Sequence, residues 1–321
     1  MKNVLIRFLF PLASLLLAAA CKPEPLYIPE KATCVVFVEP QKLTEAVFVK
    51  YLLEINSETT GVNPVSNYNS FLEKFDLFQK EISKIQIFTL GLISPNGENS
   101  VGMLFHIPNL NKKKIKHLLK QPFVSKLKSF RYKNEVVFAK EPVYNLFLHI
   151  RTGFLIISSN KSTMEKIIDV IHGAPGIVKN KDLYFNKTIQ ADSSIYGSFI
   201  ISKKLISENF EILAPLFDGA GVLKFNISFT DGISFSSNIR YSTISAANSS
   251  SALINLILAS KSQYACVPIK NILEHVYVIP ENKNLKISLS LSGEEAKKSI
   301  DATSIYLPAI LNSLKLNSYE D

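Results

Sequence analysis

The residue in this sequence with the clearest chemistry is a thiol, Cys21, which directly follows three alanines at positions 18–20. Two positive residues open the chain, and an apolar run follows over residues 8–20. A charged start, a short apolar run and small residues before a cleavage site are typical of an export signal, which is removed from the mature protein. The sequence therefore predicts a signal peptide over residues 1–20, with Cys21 as the first residue of the mature chain.

Residues 17–21, Leu-Ala-Ala-Ala-Cys, resemble the lipobox of bacterial lipoproteins. That family prefers an aliphatic residue such as Leu three positions before the cysteine, and Ala18 stands at that place here. The resemblance implies that the Cys21 sulfur carries diacylglycerol and that fatty acids such as palmitate hold the chain on a membrane. Acyl chains contribute about 0.8 kcal/mol per buried CH₂, so two or three chains together form an effectively permanent anchor.

Two other interpretations of this segment stay open. An ordinary secretory signal cut after Ala20 would leave Cys21 as a free or disulfide-bonded thiol. A transmembrane anchor is disfavoured, because the apolar run of about 13 residues is shorter than the roughly 20 needed to span a bilayer.

The residues after the thiol predict a spacer between membrane and fold. We expect residues 21–27 to form an extended tether, since Lys22-Pro-Glu-Pro25 contains two prolines that favour polyproline conformation. Lys22, in place of Asp, resembles the sorting pattern of lipoproteins sent to the outer membrane. The resemblance implies a lipid-anchored position on the periplasmic face of the outer membrane or on the cell surface.

A second group with possible binding chemistry is a basic stretch over residues 112–133, which contains no acidic residue. Its basic side chains are Lys112, Lys113, Lys114, Lys116, Lys120, Lys126, Lys128, Arg131 and Lys133. Loss of the signal peptide lowers the formal net charge from +9 to +7, so this stretch alone can account for the excess. It could attract an anionic lipid surface, while an exported location argues against nucleic acid. Alternatively, Ile115, Leu118 and Leu119 face a core and the lysines are merely solvated.

Two further cysteines, Cys34 and Cys266, both lie in apolar runs. An oxidising envelope would permit one disulfide bond between them, although they could equally be separate buried side chains. Their spacing does not indicate a metal site.

Motifs for catalysis are absent from the sequence: it contains no G-x-S-x-G, no H-E-x-x-H, no glycine-rich phosphate loop and no EF-hand loop. The five histidines are scattered singly, at positions 106, 117, 149, 172 and 275. We therefore expect no enzymatic activity, no cofactor and no metal site.

The elements that must position these residues follow from hydrophobic periodicity. In the first half the pattern predicts a strand at 34–38, helices at 41–55 and 69–80, and a hairpin of 85–93 with 101–107. A basic helix at 111–120 follows, then strands near 126–132, 135–139, 144–150 and 153–158. A capping box at Ser162-x-x-Glu165 predicts the next helix.

The same order of elements returns in the second half. We predict a strand at 194–201, a helix at 203–217, a hairpin of 222–229 with 233–241 and a helix at 246–260. Strands near 273–279 and 285–291 and a helix opened by Ser292-x-x-Glu295 complete this half.

This repetition predicts an internal duplication, with α+β repeats over residues 28–176 and 177–321. The predicted fold class is therefore α+β, with two similar halves that are each an antiparallel sheet with helices packed on one face. The opening at Ile28-Pro29 resembles exported bacterial families with duplicated α+β bodies, and that resemblance implies no activity.

Together these features predict a lipid-anchored protein of the cell envelope that acts as a non-enzymatic binding or scaffolding module. Its expected partners are the membrane, through Cys21, and an envelope protein or an anionic lipid surface, and not nucleic acid. The alternatives are a carrier that holds an apolar small molecule between sheet and helices, and an unrecognised hydrolase.

Replacement of Cys21 by Ala should move the protein from the membrane fraction to the soluble fraction, because the acyl chains have no other sulfur at the mature N-terminus. Membrane fractionation measures this change. Intact-mass spectrometry of the wild-type protein should show the added acyl mass on Cys21, and an unmodified cysteine there would disprove the anchor.

Overall fold

The computed structural model describes residues 26–45, 81–91, 100–140, 146–177, 180, 183, 193–201, 211–230, 232–264 and 267–304. The elements of the first part are β1 (Ala32–Val38), α1 (Pro40–Glu45), β2 (Lys84–Leu90), β3 (Ser100–His106), α2 (Lys112–Leu118), α3 (Pro122–Ser125), β4 (Lys128–Tyr132), β5 (Glu135–Lys140), β6 (Leu146–Arg151), β7 (Phe154–Ser158) and α4 (Lys161–Ile171).

The second part begins with β8 (Ile195–Ile200) and a short 3₁₀ helix (Glu211–Phe217). It continues with β9 (Ala220–Ser228), β10 (Gly232–Tyr241), α5 (Ile244–Tyr264), α6 (Val267–Glu274), β11 (Val276–Glu281), β12 (Asn284–Ser292) and α7 (Gly293–Ser304).

All of these strands belong to a single antiparallel sheet of twelve strands. Its order is β11-β12-β10-β9-β8-β1-β2-β3-β7-β6-β5-β4. The first strand of each part lies in the middle, where Val35 of β1 pairs with Ser198 of β8. From this junction the strands of each part extend outward in opposite directions, so β4 and β11 form the two edges.

The predicted fold class is therefore wrong: the halves do not form separate sheets with helices on one face. Because an unpaired edge leaves backbone N–H and C=O groups without partners, joining β1 to β8 satisfies both edges at once. The helices also depart from the prediction. In the first part α4 packs on one face of the sheet and α2 and α3 pack on the other.

Alternation along the strands explains why both faces of the first part are covered. In β7, Phe154 and Ile156 point to one face and Leu155 and Ile157 to the other, and all four are buried. Strands buried on both faces have continuous apolar sequences, as Phe-Leu-Ile-Ile does here.

The first face packs against α4 through Met164, Ile167 and Ile168. The second face packs against Leu118 of α2 and Val124 of α3. The two layers hold these three helices at fixed positions on the sheet.

In the second part the described helices lie over the same face of the sheet. Ala247 of α5 packs on a cluster with Ile239 and Leu285, and Ala296 of α7 packs on Leu291. On the opposite face the paired side chains Lys224, Asn238 and Lys286 are polar. This alternation of apolar and polar residues is typical of an antiparallel sheet with one face in water.

Several predicted boundaries move in the structure. Helix α4 begins at Lys161 because Asn160 caps it, its side chain accepting a hydrogen bond from the Thr163 backbone N–H at 2.8 Å. The box predicted at Ser162 is thus wrong. The box at Ser292 is confirmed, since the Glu295 carboxylate accepts from the Ser292 N–H at 2.8 Å and the Glu295 N–H donates to the Ser292 hydroxyl.

Other predicted elements differ in extent. A short 3₁₀ helix occupies 211–217, where Pro215 cannot supply a backbone donor, and residues 202–210 lie outside the described part. The predicted helix at 69–80 and most of the one at 41–55 also lie outside it.

We expect Tyr196→Ala to destabilise the whole sheet, because the fully buried Tyr196 ring stacks on Phe37 across the central junction at 4.8 Å. Loss of a buried aromatic ring costs about 3–5 kcal/mol. The matched control is Tyr277→Ala on edge strand β11, where the side chain is 58% exposed and the change should be below about 0.5 kcal/mol. Urea unfolding measures both, and equal losses would show that the junction is not central to stability.

Candidate functional site

The candidate site lies at one end of the sheet, which we call the basic end. It is defined by His106 at the end of β3, the Lys133–Asn134 turn between β4 and β5, and the Thr152–Gly153 turn between β6 and β7. His106 pairs with Phe154, and Phe154 pairs with Arg151, so the end of β3 and the β6–β7 turn are neighbours. Both residues of the β4–β5 turn have positive φ, which fits the twist of a tight hairpin.

Helix α2 begins at this same end because the chain before it is bonded to the β6–β7 turn. The Gly153 N–H donates to the Leu110 carbonyl at 3.0 Å, and the Ile107 N–H donates to the Gly153 carbonyl at 2.8 Å. Asn111 then caps the helix by accepting from the N–H groups of Lys113 and Lys114. The first lysines of α2 are therefore held at the basic end.

The structure places the predicted basic residues on the surface of α2 and just after it. Lys112, Lys113, Lys116 and Lys120 are exposed, whereas Lys114 is half-buried and forms an ion pair with Glu81. Further along the stretch Lys126, Lys128, Arg131 and Lys133 are exposed too. Lys112, Lys113 and Lys114, in the first turn of α2, thus lie at the basic end. Lys128 lies at the other end of edge strand β4.

The alternative interpretation of α2 is confirmed in part. Leu118 is buried and Ile115 is half-buried against the second core face, but Leu119 is exposed. The apolar contact that fixes α2 therefore does not use the lysines.

The lysines in the first turn of α2 interact unfavourably with the helix dipole. The N-terminus of a helix carries partial positive charge and favours acidic side chains, each by about 0.3–1 kcal/mol at low ionic strength. Here the first turn carries Lys112, Lys113 and Lys114 and no acid. The Asn111 cap and the Glu81 ion pair offset part of this cost. Residues that weaken local structure without a packing role point to a functional surface.

The first described residues of the chain also reach the basic end. The Tyr27 ring packs edge-on against Phe154 with centroids 5.0 Å apart, and the Arg151 guanidinium lies over the same ring at 5.0 Å. From Tyr27 the chain crosses the first face of the sheet to β1, and Ile28 is fully buried there. The tether predicted for residues 21–27 therefore joins the fold at the basic end, although residues 21–25 lie outside the described part.

A group of titratable side chains lies beside Arg151. The two oxygens of the Glu135 carboxylate each face a histidine: Nε2 of His149 is 3.5 Å from Oε2, and Nε2 of His172 is 3.4 Å from Oε1. His149 is 2% exposed, whereas His172, directly after α4, is 40% exposed. Burial lowers the pKa of His149, and the neighbouring Arg151 and His172 lower it further against the opposing influence of Glu135.

A second charged pair ties α4 to the β4–β5 turn. Lys133 forms an ion pair with Asp169 at 2.6 Å, and the Tyr132 hydroxyl donates to the same carboxylate oxygen at 3.0 Å. The hydrogen bond from Lys133 holds the pKa of Asp169 below its usual value. This contact positions the end of α4 over Glu135, His149 and His172, which we call the Glu135 group.

Sequence reasoning missed the Glu135 group. Its members are separated by 14 and 23 positions in the chain, so no short sequence motif joins the two histidines to Glu135. One signal was present: Glu135 opens β5, whereas His149 lies near the end of β6, so antiparallel pairing brings them to the same end.

The predicted cysteine sites are not brought together in the described part. Cys34 is half-buried on β1, and burial raises the pKa of its thiol, which disfavours the reactive thiolate. Cys266, its predicted disulfide partner, and Cys21, the predicted lipidation site, lie outside the described residues. The disulfide bond and the acyl anchor stay predictions.

Comparison with known proteins does not assign the chain: no family model matches it, and no curated protein has a similar sequence. Among the described residues, no helix has the length and apolar character to cross a membrane. Within the same part of the chain, no three His, Cys, Asp or Glu side chains are placed to hold a metal ion.

Replacement of Asp169 by Asn should lower the melting temperature at pH 7, and the difference should shrink progressively as the pH falls below about 4. An acid whose pKa is lowered by folding stabilises the protein above its unfolded pKa, and that contribution is lost as the pH falls through the lowered value. The pair is partly exposed, so the effect should be small and should shrink in high salt. The control is Asp218→Asn, at an exposed position. A constant difference across the pH range would contradict the ion-pair explanation.

Proposed function

We propose that this protein is a lipid-anchored, non-enzymatic binding module of the cell envelope, whose basic end contacts an anionic membrane surface. The observation that supports the proposal is the meeting of two features at one end of the sheet. The first described residues pack on Arg151 and Phe154, and the exposed lysines of α2 begin beside the same β6–β7 turn. The membrane would be the periplasmic face of the outer membrane or the cell surface.

The reach of the tether limits where the anchor lies. Five peptide units separate Cys21 from Leu26, so a fully extended chain covers at most about 18 Å. A body held by acyl chains on Cys21 therefore keeps its basic end near the headgroups.

At such a distance the lysines of α2 can act on the membrane. The negative potential of an anionic leaflet falls off within a Debye length of about 8–10 Å, and each Lys near the surface contributes about 1 kcal/mol. The exposed Lys112 and Lys113 are at the basic end and Lys116 is one turn further along α2. Anchor and charge would then act together, since the anchor places the lysines within range.

The packing favours a binding surface over a carrier of an apolar small molecule. A carrier needs space between sheet and helices, and in the first part that layer is occupied by Met164, Ile167 and Ile168, all fully buried against the sheet. Cores of this kind have near-crystalline density and few voids.

Combined replacement of Lys112, Lys113 and Lys116 by Gln should weaken binding to anionic vesicles about a hundredfold at low salt, because three surface lysines contribute about 3 kcal/mol. The measurement is sedimentation with phosphatidylglycerol-containing vesicles, made in the Cys21→Ala background so that acyl chains do not dominate.

The matched control replaces Lys261, Lys270 and Lys283 by Gln, three exposed lysines of the second part. It changes the net charge equally and should leave most of the binding intact. Equal weakening by both triple variants would show that net charge alone attracts the protein. Unchanged binding by the α2 variant would remove the basic end from the proposal.

A further inference from the structure

In the group formed by Glu135, His149 and His172, the neutral His149 ring has no hydrogen on the nitrogen that faces Glu135. His149 lies 2.9 Å through Nδ1 from the Val136 carbonyl oxygen, which can only accept, so Nδ1 carries the hydrogen. In the neutral ring Nε2 then has a lone pair and no hydrogen. That atom is buried without a hydrogen-bond partner, and it faces the Glu135 carboxylate, another acceptor, at 3.5 Å. The buried Nε2 and the half-buried Glu135 carboxylate are two acceptors that face each other, so no hydrogen bond joins them while His149 is neutral.

His172 does not solve this problem for His149. Its Nε2 faces the other oxygen of Glu135, and the exposed ring can donate there while remaining neutral. His149, by contrast, must become charged before its Nε2 can donate to Glu135.

The charges around His149 make the protonated form costly. Arg151 follows on the same strand, with one guanidinium nitrogen, Nη1, buried and without a partner, while the rest of the group lies over Tyr27. From α4 the ring faces His172, with Asp169 already paired to Lys133 and Tyr132. Of the charged groups that act on the ring, the Glu135 carboxylate is the one that favours the protonated form. A charged His149 would thus place a second cation beside Arg151 in a buried position.

The segments near this group are bonded to each other. Beyond His172 the chain turns back along residues 173–177, and the Glu30 N–H donates to the Pro175 carbonyl at 3.2 Å. The Ile177 N–H donates to the Ile28 carbonyl at 2.8 Å, and Pro29 bridges to Gly176. Tyr27, the next residue toward the N-terminus, rests on Arg151. Residues 26–30 and 173–177 therefore form one unit, which we call the cover.

We propose that His149 is a proton switch: when the Glu135–His149 pair takes up a proton at acidic pH, the cover opens and residues 26–30 leave the sheet. The driving force is linkage. A histidine that resists protonation while buried favours, at low pH, any state in which water reaches it. A positive charge on His149 would repel Arg151, and Arg151 is the residue on which the Tyr27 ring of the cover packs. On a chain anchored through Cys21, opening would lengthen the tether; that consequence, unlike the switch, rests on the proposed function.

The direction with pH follows from the sign of the shift. The pKa of His149 is lowered in the folded protein, so the closed form keeps its full stability above the ordinary histidine pKa. It loses stability as the pH falls below that value, until the lowered pKa is passed. Opening is therefore expected as the pH falls below about 6.5, and not at alkaline pH.

The experiment uses the full-length protein as purified, in detergent micelles and without vesicles, so that neither acylation nor membrane binding decides the outcome. Hydrogen–deuterium exchange is measured for peptides covering residues 26–31 at pH 7.5 and pH 5, with correction for intrinsic exchange. The corrected rate should rise about tenfold at pH 5, because an opened state with His149 in water binds a proton there and the closed state resists it. Histidine-labelled NMR follows the titration, since the chain has only five histidines.

The variant His149→Gln keeps an amide that can donate to Glu135 and removes the titration, so its exchange rate should not depend on pH. The matched control is His106→Gln, another histidine at the basic end, whose ring lies 4.9 Å from Phe154; it should keep the response. Glu135→Gln is the second variant in case His149→Gln does not fold. It removes the carboxylate that favours the charged His149 ring, so its exchange rate should rise more between pH 7.5 and pH 5 than that of the wild type. Equal exchange at both pH values in the wild type, a response that persists in His149→Gln, or a response that is lost in Glu135→Gln would overturn the switch.

Discussion

The antiparallel pairing of β1 with β8 is the contact on which the rest of this structure depends. It joins strands more than 150 residues apart in the chain, from Cys34 opposite Phe199 to Val38 opposite Ile195. Without it the sheet would be two pieces, each with an exposed edge in the middle of an apolar core. The stack of Phe37 on Tyr196 and the bond from the Ser198 hydroxyl to the Leu183 carbonyl, at 2.7 Å, close the core over this junction.

The basic end follows from the sheet that this junction creates. Because the first part of the sheet is buried on both faces, helix α4 returns over one face and α2 leaves over the other, and both meet the same end. The end of α4 brings His172 to Glu135, and the start of α2 brings three lysines to the β6–β7 turn. A charge-rich surface and the Glu135–His149 pair thus lie at the same end of the sheet, where Arg151 packs on Tyr27.

Much of the local structure could be predicted from the sequence. The strands at 34–38 and 153–158, the hairpin around Thr230 and the cap at Ser292 all occur close to where periodicity and turn residues place them. Each depends on neighbours within a few positions, so local chemistry decides it. The predicted fold class was wrong because strand pairing depends on residues far apart in the chain. An apolar strand such as Val35–Val38 has the same pattern whether its partner is in the same half or the other.

The sequence by itself determined the basic stretch and the alternation that makes strands and helices, because these depend on residue type and near-neighbour spacing; the export signal stays a prediction of the same kind. The tertiary structure decided which strands pair, which end of the sheet collects the lysines, and which histidine loses contact with water. Those outcomes depend on contacts between residues far apart in the chain, such as Glu135 with His172. Burial and charge then give His149 a proton affinity that its position in the sequence does not show.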